Sequence, residues 1–242
     1  MLNGYSVPFL GTGETTGMKD RAIKTALAVW LLALCAVLPA QDAKPTADKW
    51  EAEIRKFEEG DQKSPPGEGA NAFIGSSSIR MWKLGSSFPN HSCLNRGFGG
   101  SEMADSARYV DRIVLPAKPK VIVLYAGDND IANKKTPTQV RDDYRIFRDK
   151  VQGALPETQI VLIGLKPSPS RWKLREAALE ANRLFQAEVM AGKNQAFVDV
   201  WPAMLGEDGM PKPELFLKDN LHMTDAGYKI WNELIEPHLI GK

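Results

Sequence analysis

"KVIVLYAGDND", Lys120 to Asp130, stays apolar through six positions and then breaks at a glycine followed by acids and an amide. A strand with one wet face alternates apolar and polar residues. A run without alternation fits a strand covered on both faces, as in a parallel sheet lying between helix layers. "QIVLIGL", 159–165, reads the same way, and "AFIG" (72–75), "CLNRGF" (93–98) and "QAFVDVW" (195–201) are further apolar runs with β-branched or aromatic residues. Segments of helical period separate them. "ADKWEAEIRKFEEGDQK" puts Trp50, Ile54 and Phe57 on one face, and "MADSARYVDRIVL" puts Met103, Val110 and Val114 near one stripe. "TPTQVRDDYRIFRDKVQGAL" opens with Thr136 as N-cap and Pro137 at the first helical position. "WKLREAALEANRLFQAEVMAG" predicts a long helix over 172–192, and "TDAGYKIWNELIEPHLI" a last one capped by Thr224. Strands alternating with helices predict one three-layer α/β/α sandwich on a five-stranded parallel sheet. In such sheets ligands bind beyond the carboxyl ends of the strands, where strand order reverses.

The N-terminal part has a different character. From Met18, the bases Lys19, Arg21 and Lys24 precede an apolar run, Ala26 to Leu38, which is too short to span a bilayer and ends at small residues near Ala40. This layout predicts a secretory signal peptide over 18–40, with 1–17 as an upstream extension. A short membrane anchor is the competing reading, and Leu34 before Cys35 argues against lipoprotein cleavage. Residues 41–70 then form a linker and N-terminal helix, and 71–242 the main domain. Export is expected to deliver a periplasmic or secreted protein without stable membrane insertion. Cys93 is the one cysteine beyond the signal segment, so no intrachain disulfide is expected. The formal charge of +1 comes with no basic stripe, so a nucleic-acid partner is not expected.

The residues after the strands carry the chemistry. They are Gly75-Ser76-Ser77-Ser78, "RGFGGSE", "GDND", and "DNLH" just before the last helix. Each alone is an ordinary turn former. The glycines at 97, 99 and 100 miss the dinucleotide spacing, because Glu102 stands where a third glycine is required. In this order, however, the blocks resemble those of the SGNH (GDSL-type) serine hydrolases, from about Asn71 to the end. The resemblance implies a flavodoxin-like sandwich, and with three histidines and no ligand cluster in the sequence no metal or other cofactor is expected. It matches Ser77 to the nucleophile, His222 to the base and Asp219 to the orienting acid. Ser77, Gly100 and Asn129 match the oxyanion hole. The usual Gly-Asp-Ser-Leu box is here Gly75-Ser76-Ser77-Ser78, similar to a "GSSSIRxW" branch of acylhydrolases like platelet-activating-factor acetylhydrolase.

These residue types suit acyl transfer. A serine hydroxyl needs a base within reach, and a carboxylate on the far ring nitrogen fixes the base's tautomer. Asn129 offers a neutral N–H₂, and a glycine at 100 leaves the backbone approachable. Asp130 is read as holding its loop, and His91 and His238 as surface or structural residues. "LKPSPSRW" follows the fourth strand and rims the crevice, so Arg171 and Trp172 are candidates for binding a sugar face or an anion; a rigid connector is the alternative. No long apolar lid is evident, which points to short acyl groups, with acetyl on carbohydrate as the expectation. An O-acyltransferase, a lysophospholipase or thioesterase, and a carbohydrate-binding pseudo-hydrolase are the alternatives.

Overall fold

The computed structural model describes residues 48–241, which fall within one compact unit. The expected signal segment and upstream extension lie outside the described residues. The expected runs form β1 (Asn71–Gly75), β2 (Cys93–Gly97), β3 (Val121–Tyr125), β4 (Gln159–Ile163) and β5 (Gln195–Val198). All pairings are parallel, in the order β2-β1-β3-β4-β5. β1 and β3 are buried at every position, while the edge strands β2 and β5 are half-buried over most of their length. Non-alternating apolar sequence thus marks the strands closest to the middle of the sheet.

The helices are α1 (Glu51–Lys63), α2 (Ser77–Arg80), α3 (Leu84–Ser87), α4 (Met103–Ile113), α5 (Asp128–Ala132), α6 (Pro137–Ala154), α7 (Arg175–Ala191) and α8 (Asp225–Ile235). Their ends follow local chemistry. Thr136 Oγ1 accepts from Gln139 N–H, whose side chain reaches back to the Thr136 N–H, a reciprocal cap with Pro137 inside it. Thr224 Oγ1 accepts from Gly227 N–H. Pro237 ends the last helix two residues after Ile235, because its ring carries no N–H for the ladder.

Several expected elements shift at their edges or in what they pack against. The fifth strand stops at Val198, because Asp199 Oδ1 accepts from Trp201 N–H and turns the chain. The segment from Pro169 to Leu174 is a 3-10 helix, so α7 starts at Arg175 rather than at Trp172. The helix expected before the main domain belongs to the same core. Ile54 of α1 is fully buried, and Trp50 meets Phe98 edge-on at 5.6 Å.

On one face of the sheet Phe73 of β1 meets Trp82 at 5.3 Å, and Trp82 meets Trp231 of α8 at 5.4 Å. Aromatic side chains buried this fully contribute about 1.5–3 kcal/mol each. α4, α6 and α7 pack in series and cover the sheet from the other side, with Tyr144 of α6 against Phe185 of α7 at 5.8 Å. Strand order explains where chemistry can sit. The chain leaves β1 for β2 on one side and returns to β3 on the other, so the connections diverge between β1 and β3 and open a crevice at their carboxyl ends.

Candidate active site

Ser77 follows β1, and Asn129 follows β3, one on each side of that opening. Gly75 makes the turn possible. Its φ is +143°, and a Cβ there would lie 1.9 Å from the carbonyl oxygen of Tyr125. Ser76 N–H donates to that same carbonyl at 3.1 Å, so the chain leaves the sheet pressed against β3. The Ser76 carbonyl then accepts from Ile79 and Arg80 N–H, which starts α2 at Ser77. This packing separates the three serines. Ser76 and Ser78 are 4% and 3% exposed, while Ser77 is only half-buried.

The Ser77 Oγ lies 3.0 Å from His222 Nε2, and His222 Nδ1 lies 2.5 Å from Asp219 Oδ2. Asp219 Oδ1 accepts from the N–H groups of Leu221 and His222, both at 2.9 Å, so a single carboxylate shapes its turn and holds the ring. The turn is anchored at three places. Leu217 N–H donates to the His222 carbonyl at 2.7 Å, Phe216 bridges to Met223, and Ser170 N–H donates to the Asn220 carbonyl. The hydrogen bond from His222, helped by that from Leu221 N–H, holds the Asp219 carboxyl down to about 2. An ionised carboxylate only accepts, so Nδ1 carries the ring proton and Nε2 presents its lone pair to the Ser77 hydroxyl.

Asp219 has a consequence for acid stability. Its carboxyl titrates at about 2 in the fold, against an ordinary value of 3.8. Its contribution is therefore fully present above about pH 4 and is lost as pH falls through about 2. The side chain is 48% exposed, so screening limits the effect to about 1 kcal/mol. Asp219→Asn is expected to lower the urea midpoint at about pH 5, with the deficit shrinking toward about pH 2. An equal deficit at both pH values would remove this reading.

The expected oxyanion residues are brought to the same end of the sheet. Phe98 N–H donates to the Gly75 carbonyl at 2.9 Å, tying the glycine-rich loop to β1. Gly100 has φ +77°, a left-handed conformation that favours glycine. Asn129 Nδ2 donates to the Ser101 carbonyl at 2.9 Å, joining that loop to the one after β3. The N–H groups of Ser77 and Gly100 donate to no protein acceptor among the described residues. Asp130 ties the same two loops. Its buried carboxylate accepts from Met103 N–H at 3.0 Å and from Lys135 at 3.0 Å. Burial pushes its carboxyl up to about 6 despite the attraction of Lys135.

The other expected residues lie elsewhere or serve other partners. His91 packs edge-on against Phe88, and His238 lies in the 3-10 turn after α8. Arg171 does reach the crevice, but its guanidinium already has protein partners. Nη1 pairs with Asp128 at 2.7 Å and Nη2 donates to Asn129 Oδ1 at 2.8 Å. The guanidinium read as a candidate for binding a sugar face or an anion is thus engaged by an acid and an amide of the protein. Trp172 stacks on Trp201 with centroids 6.0 Å apart.

A buried group near the site was not anticipated from the sequence. Lys166 Nζ pairs with Asp128 Oδ2 at 3.0 Å and donates to Tyr125 Oη at 3.2 Å, and Tyr125 Oη also donates to Asp128. Burial alone would raise the Asp128 carboxyl, but Lys166 and Arg171 together hold it below the ordinary value. The one available signal was a lysine directly after the apolar run 159–165, since burying a lysine requires a partner. Among the described residues no group of three or more His, Cys, Asp or Glu side chains is placed to hold a metal ion. No helix among them is long and apolar enough to cross a membrane.

Residues 70–230, more than half of the chain, match the model of the GDSL-like lipase/acylhydrolase family. No curated protein matches the sequence. Among solved structures, a Streptococcus pneumonia protein provisionally assigned as a platelet activating factor is similar at 22% identity and a TM-score of 0.72. That match covers 78% of this chain and 92% of the other. A GDSL-like lipase from Bacteroides thetaiotaomicron is 20% identical with a TM-score of 0.66, covering 77% of this chain and 97% of its own. A catalytic mutant of Axe2, an acetylxylan esterase from Geobacillus stearothermophilus, is 15% identical with a TM-score of 0.59. It covers 73% of this chain and 96% of its own, and at such identities each likeness concerns the fold.

Proposed function

This chain belongs to the GDSL-like lipase/acylhydrolase family and is a carboxylic ester hydrolase, and from that premise we propose that it cleaves short-chain esters through an acyl-enzyme on Ser77. The observation that carries the reading is the unbroken chain of contacts from Ser77 Oγ to His222 to Asp219. In the proposed reaction, His222 Nε2 takes the Ser77 hydroxyl proton as Oγ bonds to the ester carbonyl carbon. The carbonyl π electrons move to oxygen, where the N–H groups of Ser77 and Gly100 and the Asn129 amide stabilise the negative charge. Collapse of this intermediate breaks the carbon–oxygen bond to the alcohol, which leaves with the proton from His222. Water, deprotonated by the same ring, then releases the carboxylic acid and restores the serine.

The substrate is read as an acetyl or similarly short ester on a carbohydrate. Beside Gly100 lies a cavity of about 440 Å³ lined by Asp48, Lys49, Trp50, Glu102, Asp105 and Arg108. This cavity touches the candidate site through Gly100 and not through Ser77, Asn129 or His222. A surface so polar beside the oxyanion loop suits a hydrophilic alcohol better than a lipid chain. The acetylxylan esterase among the structural neighbours agrees with this choice without identifying the substrate. The signal-like segment at 18–40 favours a substrate outside the cytoplasm.

Initial rates with aryl acetate, butyrate and octanoate, together with acetylated oligosaccharides, test the proposal. We expect kcat/KM to fall with acyl length and acetate to be released from the sugar ester. A preference for octanoate would reject it. An O-acyltransferase sharing the acyl-enzyme would instead yield an acylated sugar when a free acceptor is added.

A further inference from the structure

The structure assigns Arg171 a positioning role: it orients the Asn129 carboxamide, so that one amide N–H is held ready for the developing oxyanion. This rests on the reading of Asn129 as an oxyanion donor and adds a residue that works through it. Arg171 bridges two neighbours in the chain, with Nη1 on Asp128 Oδ1 at 2.7 Å and Nη2 on Asn129 Oδ1 at 2.8 Å. On its other end Asn129 donates through Nδ2 to the Ser101 carbonyl at 2.9 Å.

These two contacts leave the amide one orientation. A guanidinium only donates, so it selects the amide oxygen, and a backbone carbonyl only accepts, so it selects the amide nitrogen. A flipped amide would set N–H₂ against the guanidinium and oxygen against oxygen. With both ends held and the amide planar, the second Nδ2 proton has a fixed direction. A donor fixed in advance needs no reorganisation when charge develops.

Charge acts in the same sense. Lys166 and Arg171 flank a single carboxylate, Asp128, which leaves a net positive charge behind the amide oxygen. That charge polarises the amide and strengthens its N–H groups as donors. Both cations compensate Asp128, but they do so through different oxygens: Lys166, 2% exposed, and the Tyr125 hydroxyl engage Oδ2, and Arg171 engages Oδ1 through Nη1. The contact from Nη2 to Asn129 uses a second nitrogen that neutralising the acid does not require.

The test is a double-mutant cycle on aryl acetate hydrolysis with Arg171→Ala, Asn129→Ala and the double variant, plus Arg171→Lys. Arg171→Ala is expected to lower kcat by about 10- to 100-fold, less than the 10²–10³ typical of losing a whole donor, with KM within about twofold. In the Asn129→Ala background the same replacement is expected to cost less than about twofold, because the group it positions is gone. Guanidinium added to the buffer is expected to restore part of the activity of Arg171→Ala in the Asn129 background alone. Arg171→Lys is expected to recover only part, since one ammonium does not reproduce the planar bridge.

Additive losses, or a raised KM with unchanged kcat, would overturn the inference; the second outcome would make Arg171 a substrate contact. Unchanged kcat in Asn129→Ala would instead remove the oxyanion reading on which it rests. Thermal midpoints check folding, and if Arg171→Ala is unfolded the Lys variant carries the cycle, with additivity again the overturning result.

Discussion

Replacing Ser77 by alanine is expected to lower kcat for a short aryl ester by about 10⁶-fold while leaving the thermal midpoint nearly unchanged. The change removes the atom that forms the acyl bond, and no neighbour can take its place. Ser76 and Ser78 are buried, and the Ser78 carbonyl receives the Tyr228 hydroxyl at 2.8 Å, which binds that turn to α8. A residual rate of about 10³–10⁴ over water is expected from substrate binding and oxyanion donors alone. Burst kinetics and mass mapping of a fluorophosphonate adduct provide the measurement. Activity within tenfold of the parent, or an adduct on Ser76 or Ser78, would refute the assignment.

His222→Ala is expected to lose kcat to about the same extent, and the double variant with Ser77→Ala to lose little more. Nucleophile and base act as one unit, so the second loss finds nothing left to remove. The turn should survive, because the Asp219 contacts to the backbone N–H groups at 221 and 222 need no imidazole. A well-folded His222→Ala protein, with Ser77 present but unlabelled by fluorophosphonate, is the outcome that identifies the base. Labelling at the parent rate would show that Ser77 is activated by another group.

Much of this architecture is legible along the chain. The β1, β3 and β4 runs are apolar without alternation because helices cover both faces, and a one-dimensional pattern reports such burial directly. Thr136, Pro137 and Thr224 mark helix starts because capping is local chemistry. The short helices α2 and α5 carry too few turns to leave a periodic signal. Asp219 and His222 are three residues apart, so the pairing between them lies within one turn and shows in the spacing.

Contacts between distant segments are not legible in that way. Lys166 meets Asp128 across a separation of 38 residues, and Arg171 meets Asn129 across 42. From sequence, Arg171 reads as a rim cation facing substrate; the fold turns it inward onto a carboxylate and an amide. Nothing in "LKPSPSRW" or "GDND" alone distinguishes the two.

By itself, the sequence determined the sandwich, the order of its motifs and, through the resemblance they form, the residues to compare. Those properties follow from burial patterns and local turns, which each segment carries within itself. Only the tertiary structure decided which serine is accessible, which imidazole nitrogen faces it and what Arg171 holds. Those depend on distances between segments far apart in the chain, which parallel pairing of β1 with β3 brings to one crevice.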